Sequence, residues 1–406
     1  MSDRRRAMWE NLSPRMVGHI ARHLRSAGDY LVLRATCRSW RSALPLRPRH
    51  LPTQLPFLIC HPPSEQRFRF AFGLTAASAG NIRWLPETVQ GLCVGSSYGW
   101  LILILIWNSF LVYLFNPVTT EEIWLPRLFG DVPGGVKVPV DDTVNVGLDK
   151  AVLSSDPTLD RDFVVMFFRH DVPVRCRTCR LGDTSWTENT YVPLLDRRLP
   201  LAGVQYTSHE FDIVPYGERR MCAIFENKYW AVYEVNNGPP PRLTCTARGS
   251  LPSCIPRSDL PFYLVASAGE VLLATHCKEM TEEGNIVDST RLFRFEPGNK
   301  KWPALADELD DIGDRILFLG TCCSVSVAAG DCSGIPGNAI YYVIREERRV
   351  ERETVQVLGV NVMSLENEVT TDVVDSRTPE AKPFKWRTQR TDVHWWMSPN
   401  LRSFHT

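Results

Sequence analysis

Residues 91–126, GLCVGSSYGWLILILIWNSFLVYLFNPVTTEEIWLP, hold the most apolar run of the chain, and the reading of that run decides the fold. Its centre, residues 100–115, invites a membrane-spanning helix. It is shorter than the roughly 18 to 20 residues such a helix needs, and Asn108-Ser109 interrupts it. Short apolar runs bounded by Gly, Asn and Pro read instead as strands. GLCVGSSYGWLILIL and FLVYLFNPVTTEEIWLP each form a strand pair, with Asn116-Pro117-Val118-Thr119-Thr120 as a turn and Trp124 returning the chain before Leu125-Pro126. The run from Trp100 does not alternate with polar residues, so both of its faces are expected to be buried.

Outward from this stretch the same theme returns. Residues 163–186, 221–235 and 270–302 each place an apolar strand before a second strand, and in three of the four units a polar turn and a tryptophan close the unit. Trp124, Trp186 and Trp302 stand 62 and 116 residues apart, near-multiples of about 58. Short strands in units of this size point to a β-propeller of small meanders around a channel, with a period near 50 being kelch-like. A β-sandwich or two stacked β domains is the alternative.

Before the strands lies a different kind of chain. Residues 9–44 read WENLSPRMVGHIARHLRSAGDYLVLRATCRSWRSAL. Ser13 is a candidate N-cap and Pro14 suits a first helical position. From Leu12, the residues Met16, Val17, Ile20 and Leu24 fall within roughly 140° of one helical face, opposite Arg15, His19, Arg22 and Arg25. Ser26-Ala27-Gly28 is expected to break this helix, with Asp29 capping a second run from Tyr30 to Ala35 and a third built on Cys37, Trp40 and Leu44. Three short helices in about 35 residues are below the size that normally folds alone, and their apolar residues exceed what one tiny core can hide. That excess implies a docking surface, or a helical hairpin packed on its own domain. Residues 45–63 are then punctuated by six prolines and read as an extended linker.

The N-terminal segment resembles the F-box, on Trp9, Leu12, Pro14, Val17, Ile20, Leu24, Asp29 and the closing pattern RATCRSWR of residues 34–41. One departure is Leu12-Ser13-Pro14, where the family's usual first turn is Leu-Pro. The resemblance implies binding to the Skp adaptor of a cullin ubiquitin ligase, with Leu12, Pro14, Val17, Ile20, Leu24, Leu31, Cys37 and Trp40 touching the adaptor or holding the trihelical unit together. Residues 65–400 resemble a plant F-box family with a Kib-type β-propeller. The marks are GSSYGWL (95–101) leading to FNP (115–117), GEVLL (269–273), ILFLG (316–320), PGNAIYY (336–342) and WWMSP (395–399). After Tyr341-Tyr342 the family's acidic turn is replaced by VIREE, which implies a distorted final blade. The expected class is therefore α+β and multidomain: an F-box at residues 8–46, a Pro-rich linker at 47–64, and a mainly-β propeller at 65–400.

Composition sets further bounds. Net charge is zero over 406 residues, but residues 1–50 carry eleven arginines against three acids, a basic face that would suit an acidic partner surface. Arg4-Arg5-Arg6 is too short to serve as a nuclear signal on its own. No secretory signal opens the sequence, so the protein is expected inside the cell, in nucleus and/or cytoplasm, with its twelve cysteines reduced. Cys176 and Cys179, preceded by His170, have half of a zinc site's spacing. On a strand, residues three apart point oppositely, so no metal is expected there. The acidic run DELDDIGD (307–314) lacks a calcium loop's alternating ligands and reads as a solvated loop or short helix that could meet a basic partner. His394 reads as a packed strand residue. Phosphate-binding, nucleophile-elbow and zinc-protease motifs are not found.

The expected function is that of a non-catalytic substrate receptor: the helices bind the Skp adaptor, and through it cullin, while the propeller holds an unknown target protein. No cofactor, nucleic acid or membrane is expected. A propeller enzyme or small-molecule binder acting outside a ubiquitin ligase is the alternative. A third reading, arginine-rich helices meeting nucleic acid, is disfavoured because the strongest signal in those helices is apolar. Residues 128–142, 238–261 and 278–290, rich in Pro, Gly and charge, are the expected target-binding loops.

Overall fold

A computed structural model describes residues 12–25, 27–45, 48, 50–52, 54–61, 69–72, 81–84, 89–105, 110–128, 150–169, 175–189, 212–225, 229–252, 262–280, 286–296, 307–320, 323–331, 335–350, 353–365, 369–372, 374–375, 382–383, 385–388 and 393–397. Among the described residues three short helices precede the strands: α1 (Pro14–Ala21), α2 (Ala27–Ala35) and α3 (Arg38–Ala43). Apart from one turn of 3-10 helix at Ala329–Asp331, strands follow to the end of the described chain.

The first sheet holds β1 (Phe57–His61), β2 (Arg69–Phe72) and β3 (Asn81–Trp84). The second is a four-stranded antiparallel meander, β4 (Leu92–Ser97), β5 (Trp100–Leu105), β6 (Leu111–Phe115) and β7 (Glu122–Arg127). A third meander comprises β8 (Lys150–Leu153), β9 (Val164–Arg169), β10 (Arg175–Arg180) and β11 (Thr187–Asn189). The fourth comprises β12 (Asp212–Pro215), β13 (Arg220–Ile224), β14 (Tyr229–Asn236) and β15 (Arg242–Ser250). A three-stranded fifth sheet holds β16 (Phe262–Ser267), β17 (Glu270–Met280) and β18 (Ile286–Phe295).

The sixth sheet is not a meander. Its strands are β19 (Arg315–Leu319), β20 (Val325–Ala328), β21 (Ala339–Val350), β22 (Glu353–Ser364) and β23 (Val369–Asp372), in the order β20-β19-β21-β22-β23 with β21 parallel to β19. Where the sequence implied a distorted blade after Tyr342, β21 runs on without turning and forms a long hairpin with β22. Two short strands, β24 (Val374–Asp375) and β25 (Lys382–Pro383), pair together, and β26 (Lys385–Thr388) pairs with β22. Finally β27 (Val393–Met397) pairs antiparallel with β1, from Phe57 opposite Met397 to His61 opposite Val393. The first sheet is thus assembled from both ends of the strand region. Strand β1 lies inside the stretch expected to be linker, so sheet structure begins at Phe57, ahead of the expected boundary at 65.

The first strands of successive sheets lie side by side, from β27 to β4, β8, β12, β16, then β19 and β20, and from β19 back to β27. Six apolar clusters fill the six seams, which closes the described sheets into a β-propeller ring. Period-2 alternation serves both sides of each strand. In β5, Trp100, Ile102 and Ile104 enter the seam with the third sheet, while Leu101 and Leu103 enter the seam with the first. That is why WLILIL reads as a continuous apolar run, and among the described residues no helix is long and apolar enough to cross a membrane. In β10, Cys176 and Cys179 likewise enter opposite seams, and burial pushes both thiols up, Cys179 to about 12.

Turns and close approaches fit the sequence locally. Tyr98 and Gly99 join β4 to β5 with φ of 52° and 79°, the mirror-image turn that suits a twisted hairpin, and Ala268 and Gly269 repeat it between β16 and β17. At Gly95 a Cβ would stand 1.9 Å from the Ala151 carbonyl oxygen, so β4 and β8 approach as closely as they do only because this residue is glycine. The Asn116 side chain accepts bonds from the Val118 and Thr119 N–H groups, at 2.9 and 3.1 Å, and so builds the expected turn. Trp186 donates to the Pro126 carbonyl at 2.9 Å and ties the third sheet to the second. Trp124, expected to close a unit from within, is 51 % exposed and stacks on Tyr113 at 4.7 Å. Trp302 lies outside the described residues, as does the side chain of His394.

One buried ion pair crosses three sheets. Lys150 on β8 donates to Asp212 on β12, and their side chains are only 6 % and 3 % exposed. Asp212 also accepts from its neighbour Ile213 at 2.8 Å and from the Leu264 N–H on β16 at 2.6 Å. Burial pushes its carboxyl up, opposed by Lys150 and these N–H groups.

Candidate functional site

The helical unit is small, and its core is built from five buried residues: Val17 and Ala21 on α1, Tyr30 on α2, Trp40 on α3, and Leu44. As expected, Ser13 caps α1, its Oγ accepting from the Met16 N–H at 3.3 Å, and Pro14 opens the helix. Cys37 caps α3 through its Sγ, which accepts from the Trp40 N–H at 3.4 Å. The start of α2 differs from expectation. Ala27 and Gly28 belong to the helix and Asp29 lies in its first turn, so Asp29 is not the cap. The Ala27 N–H is instead bonded at 2.7 Å by Oε1 of Gln54, twenty-seven residues away.

The eight residues expected at an adaptor surface divide into four groups. Val17 and Trp40 are 1 % and 6 % exposed and hold the unit together. Leu12, Leu24 and Cys37 are half-buried and pack against the same core. Leu31 turns the other way, into the seam cluster between the first and second sheets, so it joins the helices to the ring. Pro14 is exposed and Ile20 half-buried, which leaves them available to a partner.

Two residues outside that set are more open. Met16 and Val32 are 54 % and 52 % exposed. Met16 stands one turn before Ile20 on α1, so the two form one apolar stripe beside the inward-facing Val17 and Ala21. The helical period already placed Met16 on the apolar face; only burial shows that it is spare. On the same helical unit Arg15, His19, Arg22, Arg25, Arg38 and Arg41 are exposed. An apolar stripe with a basic surround is equipped to bind an apolar surface carrying acidic groups.

In the ring, two of the three expected recognition loops contain strand where they are described. Residues 242–250 form β15 and residues 278–280 and 286–290 belong to β17 and β18; residues 129–142 lie outside the described part. The burial of β15 alternates strictly, but its inward residues include Cys245, Ala247 and Gly249, too small and mixed to register as a strand pattern. The acidic run at 307–314 is a largely exposed loop, as expected, and not a helix. Glu308 bridges to Phe293 of β18 and pairs with the Arg291 guanidinium, which holds its carboxyl below the usual range, and Asp314 accepts the Gly330 N–H at 3.1 Å. Among the described residues no group of three His, Cys, Asp or Glu side chains could hold a metal ion.

Residues 75–367 match the KIB1-4 β-propeller family, and the chain belongs to that family. It is also similar to F-box protein At2g17036 of Arabidopsis thaliana, at 23 % identity over 379 residues covering 84 % of this chain and 85 % of the relative. Among solved structures, the α-L-arabinanase of Cellvibrio cellulosa aligns over 67 % of this chain and 85 % of its own at 7 % identity, with a TM-score of 0.25. An exo-1,5-α-L-arabinanase from a bovine ruminal metagenomic library aligns over 74 % of this chain and 100 % of its own at 6 % identity and a TM-score of 0.26. Likeness at that level transfers no activity.

Proposed function

We propose that this protein is the substrate-recognition subunit of an SCF-type cullin ubiquitin ligase. The helical unit, an F-box within residues 8–46, docks on the Skp adaptor, and the propeller holds a target protein for ubiquitination. The protein itself supplies no chemistry. It raises the local concentration of target lysines around the ubiquitin carrier, the proximity effect that linked binding sites produce. The observation that carries this reading is a small helical unit that leaves Met16 and Val32 at its surface, ahead of a ring, in a chain similar to an F-box protein along 84 % of its length. A place in the nucleus and/or cytoplasm belongs to the same reading.

The test is binding of the full chain to a purified Skp-type adaptor by calorimetry. The double variant Met16→Asp, Ile20→Asp is expected to weaken binding at least a hundredfold, since each apolar side chain buried at an interface contributes roughly 1.5 to 3 kcal/mol. Unchanged affinity in that variant, or no affinity in the wild type for any adaptor tried, sinks the reading.

A further inference from the structure

We infer that Gln54 is a positioning residue that locks the helical unit to the ring in one orientation. The functional consequence rests on the reading above; the mechanical one does not. Three bonds converge on this side chain. Its Oε1 accepts from the Ala27 N–H at 2.7 Å, and its Nε2 donates to the Arg25 carbonyl at 3.1 Å and to the Pro52 carbonyl at 2.6 Å. A residue of the connecting segment thereby satisfies the first N–H of α2 and grips the Arg25 carbonyl at the end of the α1–α2 connection.

The residues flanking Gln54 are anchored at both ends. Leu51 packs on the helical core, whereas Leu55 packs on the seam between the sixth and first sheets, Pro56 is buried, and Phe57 starts β1. Two further contacts act in the same sense. Tyr30 donates its hydroxyl to the Pro45 carbonyl at 2.6 Å, and Leu31 enters the seam between the first and second sheets. A connection of this kind leaves the helices no free swivel. In a receptor that works by proximity, a fixed angle between the docking helices and the ring sets where target lysines stand, so the clamp acts on transfer and not on either binding event.

Gln54→Ala and Gln54→Glu separate the two halves of the clamp, because glutamate keeps an acceptor for Ala27 but has no donor for the two carbonyls. Hydrogen exchange on the full chain is expected to show the first-turn amides of α2 exchanging roughly threefold to thirtyfold faster in Gln54→Ala, with protection largely restored in Gln54→Glu and amides of β5 unaffected in both. Unchanged α2 exchange in Gln54→Ala overturns the clamp whatever the protein binds. With adaptor and cullin, and with the ring's own lysines as the acceptors, both variants are expected to keep adaptor affinity within about twofold but to transfer ubiquitin about tenfold more slowly. Wild-type transfer rates in Gln54→Ala, with its α2 exchange raised, reduce Gln54 to a helix cap and overturn its positioning role. A wild-type chain that binds no adaptor rejects the proposed function instead, and the exchange experiment alone then decides the clamp.

Discussion

From Trp100 to Ile104 every residue of β5 is buried, whereas in α1 only Val17 and Ala21 are, and Met16 is 54 % exposed. The strand is apolar on both faces, the helix on one. The strand has two seams to fill, one on each face, and spends every side chain inside the chain. The helix has one small core to share with two neighbours, and its remaining apolar residues have no internal place. The ring therefore hides its apolar strands within itself, while the helical unit leaves Met16 and Val32 in solvent.

The largest effect is expected where the ring is closed. A chain starting at residue 65 lacks β1, which joins β27 to the first sheet and lines two seams through Leu58 and Ile59, so it should yield no cooperatively melting ring. A chain starting at residue 52 keeps β1 and should melt as a folded β domain. Thermal unfolding of the two, followed by circular dichroism, breaks the comparison if the shorter chain folds equally well.

Next comes the pair that links three sheets. Asp212→Ala leaves Lys150 buried without a counter-charge and the Leu264 N–H without its acceptor, for an expected loss of about 3 to 5 kcal/mol in denaturant unfolding. Replacing both residues by apolar ones should cost far less; equal losses for the single and double variants would mean that the pair, not the orphaned charge, matters.

Trp40→Ala sharpens the contrast from the other side. It removes the largest side chain of the helical core and should cost the helical unit about 3 to 5 kcal/mol, while hydrogen exchange in β5 and β9 stays as in the wild type. Matching acceleration in the ring would show that the two parts unfold as one. The smallest effect belongs to Trp124→Ala. Half exposed and stacked on Tyr113, it is expected to change stability by about 1 kcal/mol or less, well below the value for a buried tryptophan.

Much of this was legible in the residues. Unbroken hydrophobicity in WLILIL announced a strand buried on both faces, Asn116 and Pro117 announced the turn, and period 2 separated Cys176 from Cys179. Ser13-Pro14 announced the start of α1. What the sequence misplaced has a common cause. Strand β15 was taken for a loop because its inward side chains are small, Asp29 for a cap although the helix already begins at Ala27, whose N–H is met by Gln54 far along the chain, and β1 for linker because prolines surround it.

By itself the sequence determined the local repertoire: which segments extend, which coil, and which side chains must leave water. Those follow from backbone periodicity and side-chain chemistry over a few residues. Only the tertiary structure decided that β27 completes the first sheet, that β20 and β21 flank β19, that Lys150 meets Asp212, and that Leu31 faces the ring while Met16 and Val32 face solvent. Each is a pairing between residues far apart in the chain, whose energy depends on all the sheets being in place at once, and no window of sequence carries that information.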